Sequence, residues 1–214
     1  MTSQSDFVQP PHIATWLLSL FALPEDFESI AGDLLEEFSL LAPQLGESAA
    51  RKWYWRQAMK TVPQLAGASV RAAPWVTGAA VGGGFLLRRL VGPLVGPAIF
   101  SVLGRYEDFF EHHFGAYVFF TSIGIDIGHI ITFLFIGFVV ALAARRNEMT
   151  ATITLGFIFE AMAIVGSVYA ITRTGNDALL WRLSWYFADS FAIVIAGAIV
   201  RTHRLAATSR PSNN

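Results

Sequence analysis

AYVFFTSIGIDIGHIITFLFIGFVVALAA, from Ala116 to Ala144, decides how this chain folds. It holds a single acid, Asp126, and a single imidazole, His129, and it is closed by Arg145-Arg146. A helix needs about 20 apolar residues to cross a hydrocarbon layer, and this run is longer. In lipid every backbone N–H and C=O must find its partner inside the segment, which a lone run of chain achieves only as a helix. The stretch therefore reads as a membrane-spanning helix, and the rest of the chain is arranged around it.

Composition points the same way. The 214 residues are 54% hydrophobic and 14% charged, against about 25% charged in soluble domains, and mean hydropathy is +0.49. Charge is concentrated at the front. Residues 1–71 have ordinary polar density, whereas 72–201 are mostly apolar. The expected fold class is all-α: a small N-terminal cytosolic domain of about three helices over 1–66, a four-helix transmembrane bundle over 67–205, and a disordered cytosolic tail over 206–214. A net charge of −1 sets up no basic field for nucleic acid, and no such partner is expected. With no cysteine, disulfides, thiol nucleophiles and thiolate-held metals are excluded. Met1–Gln9 lacks a basic residue and the apolar run Trp16–Leu23 breaks at Pro24, so the N-terminus does not read as a signal peptide.

Pro10-Pro11 suits a helix start. Ile13, Leu17 and Leu20 then predict one apolar face, with Trp16 beside it. Pro24 opens a second helix whose first turn carries Glu25, Asp26 and Glu28, favourable toward the helix dipole. Phe27, Ile30, Ala31, Leu34, Leu35, Phe38 and Leu41 recur at helical spacing, and Asp33, Glu36 and Glu37 fall off that stripe. After Gly46 a third helix is expected over about Glu47–Val62, with the face Ala50, Tyr54, Ala58 and Thr61. Its cations Lys52, Arg56 and Lys60 lie among Trp53, Tyr54 and Trp55. That mixture fits an interfacial helix with aromatic groups at headgroup depth. It also fits a bundle helix whose cations pair with Glu36 and Glu37.

The blocks Trp16-Leu17-Leu18, Leu23-Pro24-Glu25, Gly32-Asp33-Leu34-Leu35-Glu36-Glu37-Phe38 and Ala50-Arg51-Lys52-Trp53-Tyr54-Trp55-Arg56-Gln57 resemble the permease prefix domain. This cytosolic module precedes the membrane part of some bacterial ABC-export permeases of the macrolide-exporter type. The resemblance covers about residues 10–62. It implies a bacterial inner-membrane setting, ABC transporter subunits as partners, and a docking face made of Asp33, Glu36, Glu37, Trp53, Trp55 and Arg56. A full permease of that kind would continue for several hundred residues, and this chain has room for a few spans.

Four spans are expected, at about 74–96, 116–144, 150–172 and 179–200. The first is interrupted by Arg88-Arg89 and followed by Pro93 and Pro97, so an irregular exit or an interfacial piece over 90–103 is expected. Lys and Arg in short loops set orientation. Arg145-Arg146, Arg201–Arg210 and the cations of the N-terminal domain fall on one side, which makes both termini cytoplasmic. Besides the lipid bilayer and the export subunits, a second copy of the chain is the other partner considered. Gly78…Gly82, Gly92…Gly96 and Gly124…Gly128 have the spacing that lets helices approach closely, and packing within the chain is the plainer use.

Ionisable groups inside spans are costly and mark candidate sites. Here they are Asp126, His129, Glu160 and Asp189, with Arg182 near the outer end. Counted from the cytoplasmic ends at 1.5 Å per residue, Glu160 and Asp189 fall at about 15 and 18 Å, and Asp126 and Arg182 both near 28 Å. An Asp126–Arg182 staple and a proton or cation path through Asp189, Glu160, His129 and Asp126 follow as expectations. A structural network fixing the helices is the alternative. Asp108, Glu111, His112 and His113 are of the kind that zinc uses, but they lack a His-Glu-x-x-His pattern, so a solvated loop is expected and no metal is assigned. No phosphate-binding loop and no nucleophile–base set is present. The expected function is that of a non-enzymatic accessory or regulatory membrane module associated with ABC-type export, without cofactor. The alternative is a small proton- or cation-coupled conduit.

Overall fold

The computed structural model describes residues 9–22, 24–175 and 179–208, apart from the side chains of 24–25, 179–184 and 208. The described residues are helical throughout and include no strand. By its internal contacts the chain divides into two compact units, Met1–Pro74 with Arg204–Asn214, and Trp75–His203.

The first unit is built from α1 (His12–Phe21), α2 (Pro24–Leu45) and α3 (Glu47–Ala72). Gly46 joins α2 to α3 at φ 85°, a conformation that side-chain-bearing residues resist. The core is Ala14, Leu18, Phe38, Ala50, Tyr54 and Ala58, with Phe27, Leu34, Leu41, Trp53 and Trp55 packed against it. Burying each of Leu18, Phe38 and Tyr54 contributes roughly 1.5–3 kcal/mol. The α2 and α3 faces follow the apolar spacing, except that Leu35 stands 47% exposed.

The α1 face differs from expectation. Leu20 is buried as expected, but its companions are Ala14, Leu18 and Phe21, and Ile13 is 66% exposed. The small Ala14 side chain lets α1 lie close on α3, and the Thr15 hydroxyl meets the Tyr54 hydroxyl at 3.0 Å. That polar contact sets the rotation of a ten-residue helix that is apolar on nearly every side. Trp53 and Trp55 are half-buried against this unit's own core, while Asp33, Glu36, Glu37 and Arg56 are exposed. Among the described residues Arg51 pairs with Glu47 of its own helix at 2.7 Å, and no cation of α3 reaches Glu36 or Glu37.

The second unit contains four helical stretches long and apolar enough to cross a membrane: Pro74–His112, Phe114–Ala143, Arg145–Thr174 and Trp185–Ala207. The first is segmented into α4 (Pro74–Val91), a tight turn at Gly92–Leu94, α5 (Val95–Leu103), a second turn at Gly104–Tyr106, and α6 (Glu107–His112). Pro93 causes the first break, since it lacks an N–H and its ring crowds the carbonyl four residues back. Pro97 falls in the first turn of α5, where an N–H would have no helical partner. The apolar path thus runs on past residue 96 as α5. It packs on α7 (Phe114–Ala143), followed by α8 (Glu148–Thr174) and α9 (Leu179–Thr208).

The core of this unit is Ala80, Phe133, Ile136, Val140, Ala144, Ala151, Leu155, Ala192 and Ile193. Close approach occurs at glycines. A Cβ on Gly137 would lie 2.7 Å from the Ile193 carbonyl oxygen, and one on Gly84 would lie 2.6 Å from both Leu155 and Val140 side chains. Gly124 and Gly128 face Ile99 and Val95 of α5, at 3.1 and 2.6 Å from a hypothetical Cβ. Gly78 and Gly82 face open space.

Candidate functional site

Every long helix of the second unit brings polar side chains to one level. Along α8, Glu160 is twelve residues from Glu148. Along α9, Asp189 is twelve from Arg201, and along α4 Arg88 is eleven from Thr77. His129 is fifteen residues from Ala144, so all four sit about 16–23 Å from the same end of the bundle at 1.5 Å rise.

Two adjoining cavities occupy that level. One, of about 180 Å³, is lined by Ser122, Ile125, Asp126, His129, Trp185, Tyr186 and Asp189. The other, of about 220 Å³, is lined by Arg88, Phe133, Phe159, Ala163 and Ser190, and again by His129, Tyr186 and Asp189. Asp189 is 8% exposed and borders both. The charges that act on it are those of Arg88, Asp126 and Glu160. One guanidinium, that of Arg88, and one imidazole, that of His129, face three acids, Asp126, Glu160 and Asp189.

Arg88, one of the two arginines that interrupt the first span, could extend along the helix toward an interface. Instead it turns inward, its guanidinium 5.0 Å above the Phe133 ring, so that it borders the second cavity. Gly92 makes this possible, because a Cβ there would occupy the place of the guanidinium. Arg89, the next residue of α4, is exposed. The side chain of Arg182 lies outside the described residues, and so does any Asp126–Arg182 pair. What the structure brings to Asp126 is Asp189, across the first cavity.

Glu160 is tied to the cluster through Ser190, whose hydroxyl stands 3.1 Å from Glu160 Oε2 and 3.2 Å from the Gly156 carbonyl oxygen. The other carboxyl oxygen, Oε1, is buried and has no hydrogen-bond partner. A single hydroxyl proton thus faces two acceptors. On the outer side Glu160 borders an apolar groove of about 230 Å³ between α8 and α9, walled by Phe157, Phe187 and Phe191.

A second polar layer was missed by sequence reasoning. Glu148 and Arg201, 1% and 5% exposed, approach to 3.7 Å, and Asn147 Nδ2 donates to Thr77 Oγ1 at 3.3 Å. Thr152 Oγ1 caps this layer from α8 by donating to the carbonyls of Glu148 and Met149, and it leaves no room for a Cβ on Gly197 of α9. Arg145, at φ 54°, turns the chain so that Asn147 and Glu148 point inward while Arg145 and Arg146 remain exposed. In sequence Glu148 and Arg201 look like ordinary loop and tail charges. Their signal is positional: an acid opens one long apolar helix at the end where a base closes its neighbour.

The acidic segment before α7 forms no cluster of three metal-ligating side chains among the described residues. His112 Nδ1 donates to the Asp108 carbonyl at 3.1 Å and His113 Nδ1 to that of Phe109 at 3.0 Å, which leaves Asp108 and Glu111 exposed. In comparisons with known proteins no family model matches the chain, and neither a curated protein nor a solved structure matches it.

Proposed function

We propose that this chain is a multi-pass protein of the bacterial cytoplasmic membrane, with four spans and both termini cytoplasmic, and that its membrane unit is a small proton- or cation-coupled conduit. The observation that carries this reading is the shared polar level, one residue from each long helical stretch: Arg88, His129 and Asp189 around two cavities, with Glu160 joined to them through Ser190. Charged groups at such depth cost several kcal/mol unless they are paired or neutralised. Three acids against one guanidinium leave room for protons or a bound cation. The buried Glu160 Oε1, which has no hydrogen-bond partner, supports the same reading, and the exposed Arg145-Arg146 loop supports the orientation.

The test is flux. The protein is reconstituted in vesicles and proton or cation movement is followed for the wild type, Glu160→Gln and Asp189→Asn. The reading expects flux that falls at least tenfold in both variants. Equal flux in all three, or none above empty vesicles, overturns it.

A second reading has its own support. The first unit has an independent core and an exposed acidic face at Asp33, Glu36 and Glu37, in the blocks that resemble the permease prefix domain. In that reading the chain is an accessory module of ABC-type export. Copurification with an ATP-binding subunit, abolished by charge reversal at those three acids, would favour it.

A further inference from the structure

We infer that the cavity between Asp126 and Asp189 is a binding site for a small organic monocation, an alkylammonium ion. The inference rests on the reading of the membrane unit as cation-handling and names the class of cation. Asp189 is more than nine-tenths buried, makes no hydrogen bond or ion pair to another described side chain, and is aimed into the space it shares with Asp126. A buried carboxylate in that condition calls for a positive partner. Arg88 approaches from the neighbouring cavity and is engaged with the Phe133 ring, so the first cavity is lined by two carboxylates and one imidazole, that of His129, without a guanidinium or ammonium group.

Size and lining choose among cations. About 180 Å³ is several times the roughly 30 Å³ that one water takes in the liquid, too roomy for a bare ion. Hard divalent cations take six to eight oxygen ligands, and among the described residues no three His, Asp or Glu side chains converge on one point. Besides the two acids, the walls are Ser122, Ile125, His129, Trp185 and Tyr186. Aromatic faces attract methylated and alkylated ammonium groups, whose charge is spread and weakly hydrated. A carboxylate on each of two helices with an aromatic wall between them is the arrangement that such a ligand needs. It also fixes polarity, because Trp185 and Ser122 lie farther than Asp189 from the Glu148–Arg201 end.

The experiment uses the full chain in non-ionic detergent, with tetramethylammonium chloride as probe, sodium chloride at equal ionic strength as the inorganic control and tert-butanol as the neutral shape control. Binding is read from tryptophan fluorescence, and Trp185→Phe separates the local signal from that of the other tryptophans. The expected result is a saturable change with tetramethylammonium alone, lost in Trp185→Phe, and an affinity at least tenfold weaker in Asp189→Asn. Asp126→Asn is the second variant should Asp189→Asn fail to elute as a folded species. A response equal to that of sodium, an equal response to tert-butanol, or unchanged affinity in the folded acid variants overturns the inference. Proton flux without tetramethylammonium binding would leave the conduit standing and sink this site. Binding without any flux would do the reverse.

Discussion

Removing one member of the Glu148–Arg201 pair should cost more than removing both. The two side chains are 1% and 5% exposed and 3.7 Å apart. At that separation their attraction is about 4 kcal/mol for an effective dielectric near 20. Neutralising one partner forfeits this and strands the other charge in the bundle interior, which costs roughly 3–5 kcal/mol, whereas replacing the whole pair by apolar groups of similar volume is often neutral or favourable. Glu148→Gln and Arg201→Met are therefore expected to lower stability by roughly 3–5 kcal/mol each, and the double variant by about 0–1 kcal/mol. The assay is SDS-driven unfolding from mixed micelles, followed by near-ultraviolet circular dichroism, with the four proteins forming a double-mutant cycle. A coupling energy below about 1 kcal/mol, or a double variant as damaged as the sum of the singles, would refute the assignment of this pair as a buried electrostatic tie between α8 and α9.

Phe38 is fully buried and sits edge-on to Tyr54 at 5.8 Å, so Phe38→Ala should cost about 3–5 kcal/mol; limited proteolysis should then open sites within 9–72 and leave 75–203 protected. Cytoplasm-active reporters fused after Arg146 and after Asn214 should both be active and one inserted at Gly175 inactive, and any other pattern contradicts the proposed orientation. Gly128→Ala places a methyl 2.6 Å from a Val95 methyl and should destabilise α5 on α7 by about 1–3 kcal/mol. Gly78→Ala meets nothing within 4 Å and should be neutral or stabilise by up to about 1 kcal/mol, as the same SDS titration would show.

The helices were legible because their signals are long or periodic. A run such as 116–144 permits no other structure in lipid, and Phe27, Leu34, Phe38 and Leu41 announce the buried side of α2 by spacing alone. The face of α1 was not legible. Leu20 is buried as its spacing predicts, but Ile13 and Leu17 are as apolar as Ala14 and Leu18, and the choice is made by Thr15 meeting a hydroxyl 39 residues away. Glycine motifs were legible in kind but not in use. Gly124 and Gly128 pack within the chain while Gly78 and Gly82 do not, and three further close approaches, at Gly84, Gly137 and Gly197, belong to none of the spaced pairs singled out. Asp126, His129, Glu160 and Asp189 stood out because acids and imidazoles are rare in apolar runs. Arg88 was misplaced because its direction depends on the room left by Gly92, a tertiary fact.

Between the two polar layers lies a dry section, and it determines how the site can communicate with the Glu148–Arg201 end. Ile136, Val140, Ala151, Leu155, Ile193 and Ala196 are each at most 1% exposed and separate the cavities from the ion pair. A cation entering such a section loses its hydration with nothing to replace it, at a cost of about 3 kcal/mol or more. If the membrane unit is the proposed conduit, passage requires the helices to part, and an alternating site describes it better than an open pore. The contact most sensitive to parting is Gly137, where a Cβ would lie 2.7 Å from the Ile193 carbonyl and 2.8 Å from the Ala196 methyl; neither neighbour can swing aside, since one is backbone and the other has no rotatable reach. Gly137→Ala should wedge α7 from α9 at a cost of about 1–3 kcal/mol. If the dry section is the barrier, reconstituted Gly137→Ala should leak protons at least severalfold faster than wild type, and the leak should persist when Asp189→Asn is added. Flux that only falls, in proportion to the folded protein lost, would place the barrier somewhere other than this section.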